Sequence, residues 1–256
     1  MVIRNGVFVV TGGGSGLGLA VVSMLVAQGA KVVAADLSFR AADESTEEVL
    51  DNFMVMRVPC DITSTEDVQR TLDFSLALGP VRGVVHCAGV VHGERTLGRE
   101  GPHDLESFER VVRINLTGTF NVVRLSAAAM ATMEPQADGE RGVIVATSSI
   151  AAWDGQAGQA AYAASKGGVA ALALPLARDL ARHGIRFVAI APGIFETPMM
   201  SGMTATVRDS LAAQVPFPPR LGHPEEFASL VREAITNPML NGTTIRLDGA
   251  MRMAAK

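Results

Sequence analysis

Val7-Phe-Val-Val-Thr-Gly-Gly-Gly-Ser-Gly-Leu-Gly18 is the stretch that decides the fold of this chain. Its apolar beginning predicts a buried parallel strand, and the segment after it has the periodicity of a helix. Between the two, Gly12, Gly16 and Gly18 follow a G-x-x-x-G-x-G pattern. Glycines in such a turn allow backbone N–H groups and a helix N-terminus to approach a pyrophosphate closely. The stretch therefore predicts a dinucleotide-binding unit, with an ordinary strand-to-helix turn as the alternative.

A carboxylate follows at the position where dinucleotide-binding units hold the adenosine ribose. The apolar stretch Lys31-Val-Val-Ala-Ala-Asp36 ends eighteen residues beyond the last of these glycines, and an acid there accepts hydrogen bonds from the ribose hydroxyls. Because a carboxylate repels a 2′-phosphate, Asp36 predicts NAD rather than NADP. Neither Ser15 nor Leu37 supplies a cation for such a phosphate, whereas Arg40 is close enough in sequence to leave NADP open.

Strand-like and helix-like segments alternate along the chain, which predicts a parallel sheet with helices on both faces. The expected fold class is α/β: a single-domain, Rossmann-type, doubly wound sheet of seven mainly parallel strands over residues 1–256. Pro175 has no N–H to offer the carbonyl of Ala171, so a kink is expected in its helix. Expected strands are Val7–Thr11, Lys31–Asp36, Phe53–Val58, Val81–His86, Gly142–Thr147, Ile185–Ala191 and Thr243–Leu247, and expected helices are Gly16–Gln28, Phe39–Leu50, Ser64–Ala77, Leu105–Met133, Ala160–Arg182 and Pro224–Thr236.

Tyr162 and Lys166 are spaced four residues apart in Ala-Tyr-Ala-Ala-Ser-Lys. A helix brings such residues onto one face, so the Lys166 ammonium can stand beside the Tyr162 phenol. A phenol ordinarily ionises near pH ~10, and a nearby positive charge favours the phenolate. Tyr162, the only tyrosine in the chain, is therefore a candidate general base close to neutral pH. Taken alone the motif also fits a helical surface pair, but Ser149, thirteen residues upstream at a strand end, adds a hydroxyl at the sheet edge where ligands bind.

Composition narrows the class of protein. The net charge of −4 and the lack of a basic run argue against nucleic acid as a partner, and no uninterrupted apolar run reaches the roughly 18 residues of a membrane span. Cys60 and Cys87 are too few for a disulfide framework, which favours a reducing compartment, and no Cys/His cluster has metal-ligand spacing. Because the chain enters its first strand at once, no signal or transit peptide is expected, and the expected location is cytoplasmic.

Further motifs give the chain a family resemblance. Asp61 and Ile62 follow the third expected strand, Cys87-Ala-Gly89 follows the fourth, Asn115 stands in Arg-Ile-Asn-Leu-Thr-Gly, and Pro192-Gly193 follows the sixth. With the motifs above, they make the chain resemble a short-chain dehydrogenase/reductase over residues 7–253. Within that family it is most similar to the type 2 3-hydroxyacyl-CoA dehydrogenases, also called 17β-hydroxysteroid dehydrogenase type 10. Four stretches carry that likeness: Gly-Thr-Phe-Asn-Val-Val-Arg-Leu125, Gly155-Gln-Ala-Gly-Gln-Ala-Ala-Tyr162, Gln214-Val-Pro-Phe-Pro-Pro-Arg-Leu-Gly222 and Arg246-Leu-Asp-Gly-Ala-Met-Arg-Met253.

The resemblance implies a catalytic set of Ser149, Tyr162, Lys166 and Asn115. Ser149 is expected to hydrogen-bond the hydroxyl or keto oxygen of the substrate, and Tyr162 to transfer the proton, so both are also the expected substrate-binding residues. Lys166 is expected to lower the Tyr162 pKa and to hold the nicotinamide ribose. Asn115 is expected to hold a local break in its helix and a water that links Lys166 to solvent. Ser148 is the rival of Ser149, and the family spacing of thirteen residues to the tyrosine selects Ser149.

The resemblance also implies an NAD site along the carboxyl edge of the sheet. The Cys87 thiol is expected to be a buried small apolar group without chemistry, so that only its backbone serves the cofactor. His86 stands where the family usually has asparagine, and a structural role that braces neighbouring strands is expected for it. The expected cofactor contacts are Gly12, Ser15, Gly16, Leu17, Gly18, Asp36, Asp61, Ile62, Cys87, Ala88, Gly89, Tyr162, Lys166, Pro192, Gly193, Phe195 and Thr197.

The implied reaction is the NAD-dependent oxidation of a secondary alcohol, a short or branched 3-hydroxyacyl-CoA, to the ketone. An NADPH-dependent 3-ketoacyl reductase, a dehydrogenase of steroids or other alcohols, and a non-catalytic scaffold stay open as alternatives. Segment 194–219 is rich in methionine, proline and phenylalanine, which suits either a cover for an acyl chain or ordinary lid packing. Arg95, Arg99 and Arg208 are candidate partners for a CoA phosphate. The apolar helix around Pro175, together with the resemblance, predicts a homotetramer.

Overall fold

The strands expected from the sequence form one parallel sheet in the described part of the chain, residues 1–41, 54–200 and 204–255 of a computed structural model. Their bounds are β1 Val7–Thr11, β2 Lys31–Asp36, β3 Val55–Pro59, β4 Val81–His86, β5 Gly142–Thr147, β6 Ile185–Pro192 and β7 Thr243–Leu247. The order across the sheet is β3-β2-β1-β4-β5-β6-β7. The winding reverses between β1 and β4, and ligands of this architecture bind outside the carboxyl ends of the strands at such a point. The doubly wound α/β class is therefore confirmed.

Helices cover both faces of this sheet. Their bounds are α1 Gly16–Ala27, α2 Thr65–Leu78, α3 Leu105–Val112, α4 Gly118–Ala131, α5 Ala151–Asp154, α6 Ala160–Ala171, α7 Ala173–Ala181, α8 Ala205–Ala212 and α9 Pro224–Thr236. On one face, α1 and α9 pack around the fully buried Phe8 and Phe227. On the other face, α2, α4, α6 and α7 pack around Leu72, Met130 and Phe187. Because the central strands are buried on both sides, they read as continuous apolar runs rather than as alternating patterns.

The long helix expected over Leu105–Met133 is broken by one wider turn. α3 ends at Val112, a π-helical turn follows, and α4 continues to Ala131. Within the turn, the backbone carbonyl of Asn115 accepts a hydrogen bond from the Thr119 hydroxyl at 2.5 Å. Single π turns inside helices are frequent at functional sites. The local break that the family resemblance implies at Asn115 is thus present.

The helix expected over Ala160–Arg182 is also divided, at Leu172, into α6 and α7. Pro175 lacks the N–H that would reach the Ala171 carbonyl, and its ring crowds that carbonyl, so the predicted kink is confirmed. By length and composition the undivided segment is apolar enough to cross a membrane. Its buried side nevertheless belongs to the core that covers the sheet, and the core helix of a soluble protein passes the same test.

Two further predictions differ from the structure at their boundaries. β3 begins at Val55, and Phe53, where the sequence places its start, lies outside the described residues. A 3₁₀ turn covers Leu37–Ala41, and the remainder of the helix expected over Phe39–Leu50 also lies outside the described residues. The sequence does not predict α5 and α8, because four and eight residues carry too little periodicity to be recognised.

Candidate active site

The carboxyl ends of β1, β4 and β5 bring most of the expected site residues to one edge of the sheet. β1 ends at Thr11, directly before the glycine turn, and β4 pairs with it so that His86 lies opposite Thr11. β5 ends at Thr147, two residues before Ser149. This edge therefore carries the expected cofactor turn and the expected catalytic serine.

The glycine turn makes close approaches that a side chain would prevent. Gly12 has a φ of +69°, and a Cβ there would lie 2.7 Å from the backbone nitrogen of Ala88. A Cβ on Gly18 would collide with the Gly12 carbonyl oxygen. Ser15 is the N-cap of α1, and its side chain makes no capping hydrogen bond to the helix, whereas the Leu17 side chain packs against the core. The turn thus offers a pyrophosphate the Ser15 hydroxyl and the backbone at the start of a helix.

Asp36 is held beside this turn. Its carboxylate accepts hydrogen bonds from the Gly14 N–H at 3.0 Å, from the Ser38 N–H at 2.9 Å and from the Ser38 hydroxyl at 2.8 Å. The sequence reasoning missed both partners, although an Asp followed two residues later by Ser is a recognisable turn signal. The side chain of Arg40, which left NADP open, lies outside the description. The carboxylate of Asp36 is therefore fixed at the place where a ribose would meet the turn.

The loop after β3 carries the residues expected around the adenine. One carboxylate oxygen of Asp61 accepts from the Thr63 N–H at 2.9 Å and from its hydroxyl at 2.8 Å, while the Asp61 N–H donates to Asp67 at 2.9 Å. Ile62 is buried, and its carbonyl accepts from the Asn121 amide at 2.9 Å. These bonds fix the conformation of the loop that follows β3.

Two adjacent serines follow β5, and their hydroxyls have different partners. The Ser148 hydroxyl donates to the backbone carbonyl of Lys166 at 2.8 Å, and so fastens α6 to the sheet. The Ser149 hydroxyl accepts from the Ala151 N–H at 3.1 Å, and it lies near enough to the Tyr162 phenol to lower the pKa of that group. This geometry supports the choice of Ser149 over Ser148.

Tyr162 and Lys166 share one face of α6, with the Lys166 Nζ 5.9 Å from the centre of the Tyr162 ring. The ammonium also donates to the Thr147 carbonyl at 2.8 Å, and burial lowers the pKa of Lys166 to about 8. Burial raises the pKa of Tyr162, and the hydrogen bond from Ser149 lowers it only in part. The sequence predicts that Lys166 lowers the pKa of the phenol, whereas in the protein by itself the pKa is raised, because desolvation of the phenolate is the larger effect.

Asn115 lies directly behind this pair. It is fully buried, and its side chain exchanges hydrogen bonds with the backbone of Val90, at 2.8 Å to the N–H and 2.9 Å to the carbonyl. Its amide also donates to the Ser165 hydroxyl at 3.1 Å. A Cβ on Gly89 would lie 3.0 Å from the Asn115 oxygen and 3.4 Å from the Lys166 Nζ. The structure thus brings Asn115, Gly89 and Lys166 together, and adds Val90 and Ser165, which the sequence did not indicate.

His86 has the structural role expected of it. Its two ring nitrogens hydrogen-bond the hydroxyls of Thr11 at 2.6 Å and Thr119 at 2.9 Å, which ties β1, β4 and α4 together. Burial, together with the nearby Lys166 charge, lowers the pKa of His86 to about 3. Burial also raises the pKa of the Cys87 thiol to about 11, which supports the prediction of a thiol without chemistry.

The segment after β6 closes the crevice from the other side. A Cβ on Gly16 would lie 3.3 Å from Thr197, so this segment touches the glycine turn. Gly193 donates its N–H to the Leu247 carbonyl at 2.9 Å, which fixes the end of β6 after Pro192. The ring of Phe195 is buried and packs edge-to-face on Phe227 with centres 6.4 Å apart. Any cofactor contact of Phe195 is therefore left to its backbone.

The expected substrate cover, 194–219, is only partly described. The side chains of Met199 and Met203 lie outside the description, while Val215 is buried against Ile150 and Met251. Phe217 is 79% exposed. The three candidate cations for a CoA phosphate are all exposed, and no contact within the described part of the chain distinguishes one of them: Arg95, Arg99 and Arg208.

The chain is similar to known proteins along nearly its whole length. The family model described as "short chain dehydrogenase" matches residues 6–208. The human protein "3-hydroxyacyl-CoA dehydrogenase type-2" is 50% identical over 98% of this chain and 97% of its own, and its Drosophila melanogaster namesake is 49% identical over 98% and 99%. The crystal structure of 3-hydroxyacyl-CoA dehydrogenase type-2 from Mycobacterium avium matches with a TM-score of 0.90 at 40% identity, over 98% of this chain and 97% of that one.

Proposed function

Since the chain belongs to the short-chain dehydrogenase family and is an oxidoreductase with a nicotinamide cofactor, we propose that it oxidises the 3-hydroxyl of a short or branched 3-hydroxyacyl-CoA with NAD. The observation that carries the reaction is the cluster in which the buried Ser149 hydroxyl lies beside the Tyr162 phenol and the Lys166 ammonium lies over the ring. The names of relatives that match over 98% of the chain support the substrate class.

The residues of the cluster divide the work of alcohol oxidation. Tyr162 takes the proton of the substrate hydroxyl as general base, and the Ser149 hydroxyl donates to the same substrate oxygen to steady the charge that develops there. Lys166 keeps a positive charge behind the phenol, which favours the phenolate. NAD, which the glycine turn and Asp36 would hold, would supply the hydride acceptor that the oxidation of the alcohol to the ketone requires.

The preference for NAD rests on Asp36. At Gly12 and Gly18 the turn has room only for backbone atoms, as a pyrophosphate site requires. Asp36 adds a carboxylate beside the turn. Replacing it in Asp36→Ala removes the ribose partner and the repulsion of a 2′-phosphate. We expect the ratio of kcat/KM for NAD over that for NADP to fall by about 10–100-fold, the worth of a hydrogen bond to a charged group. A wild-type enzyme that is faster with NADPH would contradict the assignment.

One assay tests the proposed reaction against its alternatives. The purified protein is given NAD and 3-hydroxybutyryl-CoA, and the near-ultraviolet absorbance of NADH is followed, with a steroid alcohol in a parallel reaction. We expect turnover of the thioester at a higher kcat/KM than of the steroid. A higher value for the steroid would reassign the substrate, and no turnover of any alcohol with either cofactor would favour the scaffold.

We also propose that the enzyme assembles as a homotetramer, and two exposed apolar side chains support this proposal. Phe120 on α4 is 45% exposed and Leu174 on α7 is 48% exposed, on helices whose other sides are buried in the core. Such faces are commonly covered by a second subunit. We expect light scattering to give about four times the chain mass of 26.8 kDa, and Leu174→Asp to lower that mass. The cytoplasmic location stays a prediction.

A further inference from the structure

The segment that joins Ser149 to Tyr162 is held by the C-terminal tail, residues 248–255. Ser149 begins this segment by accepting from the Ala151 N–H at the start of α5, and Asp154 is the last residue of that short helix. Between Ser149 and the start of α6 at Ala160, the only helix in this described segment is the four-residue α5. Its position therefore depends on what contacts it from outside.

Arg246, near the end of β7, contacts this segment through its guanidinium. One of its terminal nitrogens donates to the Asp154 carboxylate at 2.5 Å and to the Met251 carbonyl at 3.1 Å, while its Nε donates to Asp248 at 2.7 Å. The guanidinium also lies 5.5 Å from the centre of the Trp153 ring. Arg246 is itself fixed, because it pairs with Ala191 of β6 in the sheet. One guanidinium thus joins the sheet, the tail and α5.

The tail adds three further contacts to the same segment. The Ala157 N–H donates to the Ala255 carbonyl at 3.0 Å, and the Gln156 amide donates to the Ala254 carbonyl at 3.0 Å. Ile150, directly after Ser149, packs with Met251 and with Val215 of the substrate cover in a small buried cluster. The tail therefore touches the segment at its beginning, its middle and its turn.

We propose that Arg246 is a positioning residue, which holds the Ser149 hydroxyl against the Tyr162 phenol through Asp154. The inference rests on the proposed function, because it names a residue that serves the same reaction. Arg246 makes no contact with Ser149 or Tyr162 in the described residues, so its effect passes through α5. Asp154 is the residue to change first, since its loss cuts this link and leaves the bond between Arg246 and Asp248 in place.

The first test measures kinetics on Asp154→Ala and Arg246→Gln. Misplacing catalytic groups by about 1 Å costs up to about 100-fold, so we expect kcat to fall by about 10–100-fold while NADH affinity stays within a few-fold. Because the Ser149 hydrogen bond lowers the Tyr162 pKa, its loss should move the rise of the oxidation rate to higher pH. Asp154→Asn, which keeps an oxygen acceptor, should restore most of the rate. A fall in kcat without a shift of the pH profile would overturn the proposal.

Arg252→Ala is the matched control. Arg252 donates to Asp248 at 3.3 Å and to the Met251 carbonyl at 2.7 Å, so its loss removes a cation from the same tail without a bond to α5. We expect kcat within a few-fold of the wild type. An equal loss in Arg252→Ala would show that tail stability alone matters and would contradict a specific role for Arg246.

A second readout needs no substrate, so it separates this inference from the proposed function. Trp153 is the only tryptophan of the chain, and it lies beside Arg246. If Arg246 holds α5, Asp154→Ala and Arg246→Gln should increase acrylamide quenching of tryptophan fluorescence and lower its anisotropy, whereas Arg252→Ala should do neither. Unchanged fluorescence in the first two variants would overturn the inference. A wild-type enzyme without turnover of any alcohol would overturn only the proposed function.

Discussion

The two halves of the site depend on different physical effects. The cofactor half is the glycine turn, in which Gly12 and Gly18 let backbone atoms approach each other closely. One added methyl group at either glycine would fill that space. The catalytic half consists of Ser149, Tyr162 and Lys166, and its function depends on which groups are charged. Burial raises the pKa of Tyr162 and lowers that of Lys166. A substitution that adds bulk to the glycine turn should therefore act mainly on cofactor binding, and one that changes a charge or a hydroxyl beside Tyr162 should act mainly on turnover.

Tyr162→Phe should give the largest effect, confined to the catalytic half. The phenol is the only one in the chain, and loss of a general base typically costs about 10²–10⁴-fold, or about 3–5 kcal/mol of barrier. We expect kcat for the 3-hydroxyacyl-CoA to fall by that factor while NADH affinity, read from cofactor fluorescence, stays near the wild-type value. A variant that keeps more than about a tenth of kcat would remove Tyr162 from the mechanism.

The neighbouring serines provide the control for that prediction. Ser149→Ala removes the hydroxyl beside the Tyr162 phenol, whereas Ser148→Ala removes one that, among the described residues, bonds the helix backbone at Lys166. We expect kcat to fall by about 10²-fold in the first variant, as for loss of one donor to a developing charge. In the second we expect a lower melting temperature and a kcat within a few-fold. Equal kcat in the two variants would reopen the choice between the serines.

Gly12→Ala should act on the cofactor half alone. The new Cβ would lie 2.7 Å from the Ala88 nitrogen, at a φ of +69° that costs an alanine about 1–2 kcal/mol. We expect NADH to bind at least about 10-fold more weakly, with the remaining turnover at saturating cofactor close to normal. Gly93→Ala is the control, since no atom of the described residues lies within 4 Å of its added Cβ. Weakened NADH binding in both variants would point to a general loss of stability.

The same contrast explains what the sequence could predict. Six of the seven strands begin where the sequence places them, and the spacing of Gly12, Gly16 and Gly18 already describes a close approach. These are local properties, set by apolar runs and by the absence of a side chain. The choice of Ser149 also agrees with the geometry, because a fixed spacing to Tyr162 carries the information.

What the sequence could not predict depends on contacts between distant segments. The Tyr162 pKa was expected to fall because Lys166 is near in sequence, yet burial in the folded protein raises it. The bonds of Asn115 to Val90 and Ser165, and those of Arg246 to Asp154, join residues 25, 50 and 92 positions apart. No local pattern records such distances, so the electrostatics of the catalytic half had to come from the structure.

His86 lies between the two halves of the site, where its protonation is expected to affect the stability of the fold. An unfolded histidine protonates near pH ~6.5, whereas the pKa of His86 is lowered to about 3 in the fold. Below pH ~6.5 the unfolded chain therefore binds more protons, and stability falls as the pH drops toward 3. One such group changes the free energy of unfolding by about 1.4 kcal/mol per pH unit. The free energy of unfolding should therefore fall by about 2 kcal/mol between pH ~6.5 and 5 because of His86.

His86→Asn should remove that part of the acid sensitivity, since asparagine does not titrate and can still hydrogen-bond one of the two threonines. Urea unfolding at pH ~7.5 and 5 should show a smaller difference for the variant than for the wild type, by about 2 kcal/mol. Identical differences would mean that His86 takes up its proton in the folded protein. NADH binding by the variant at neutral pH reports whether the brace between β1 and β4 also supports the cofactor turn.

The ionisation of Tyr162 measures how strongly one half of the site acts on the other. Burial raises the phenol pKa in the protein alone, so the absorbance of the phenolate, which only Tyr162 can produce, should appear above pH ~10. Bound NAD brings a positively charged nicotinamide to the catalytic half, and an opposite charge nearby stabilises the phenolate. We expect NAD to lower the pKa of Tyr162, and NADH, whose ring is neutral, to lower it less. Equal shifts with both cofactors would assign the effect to closure of the site rather than to charge, and a phenol that ionises below pH ~10 without cofactor would return the leading role to Lys166.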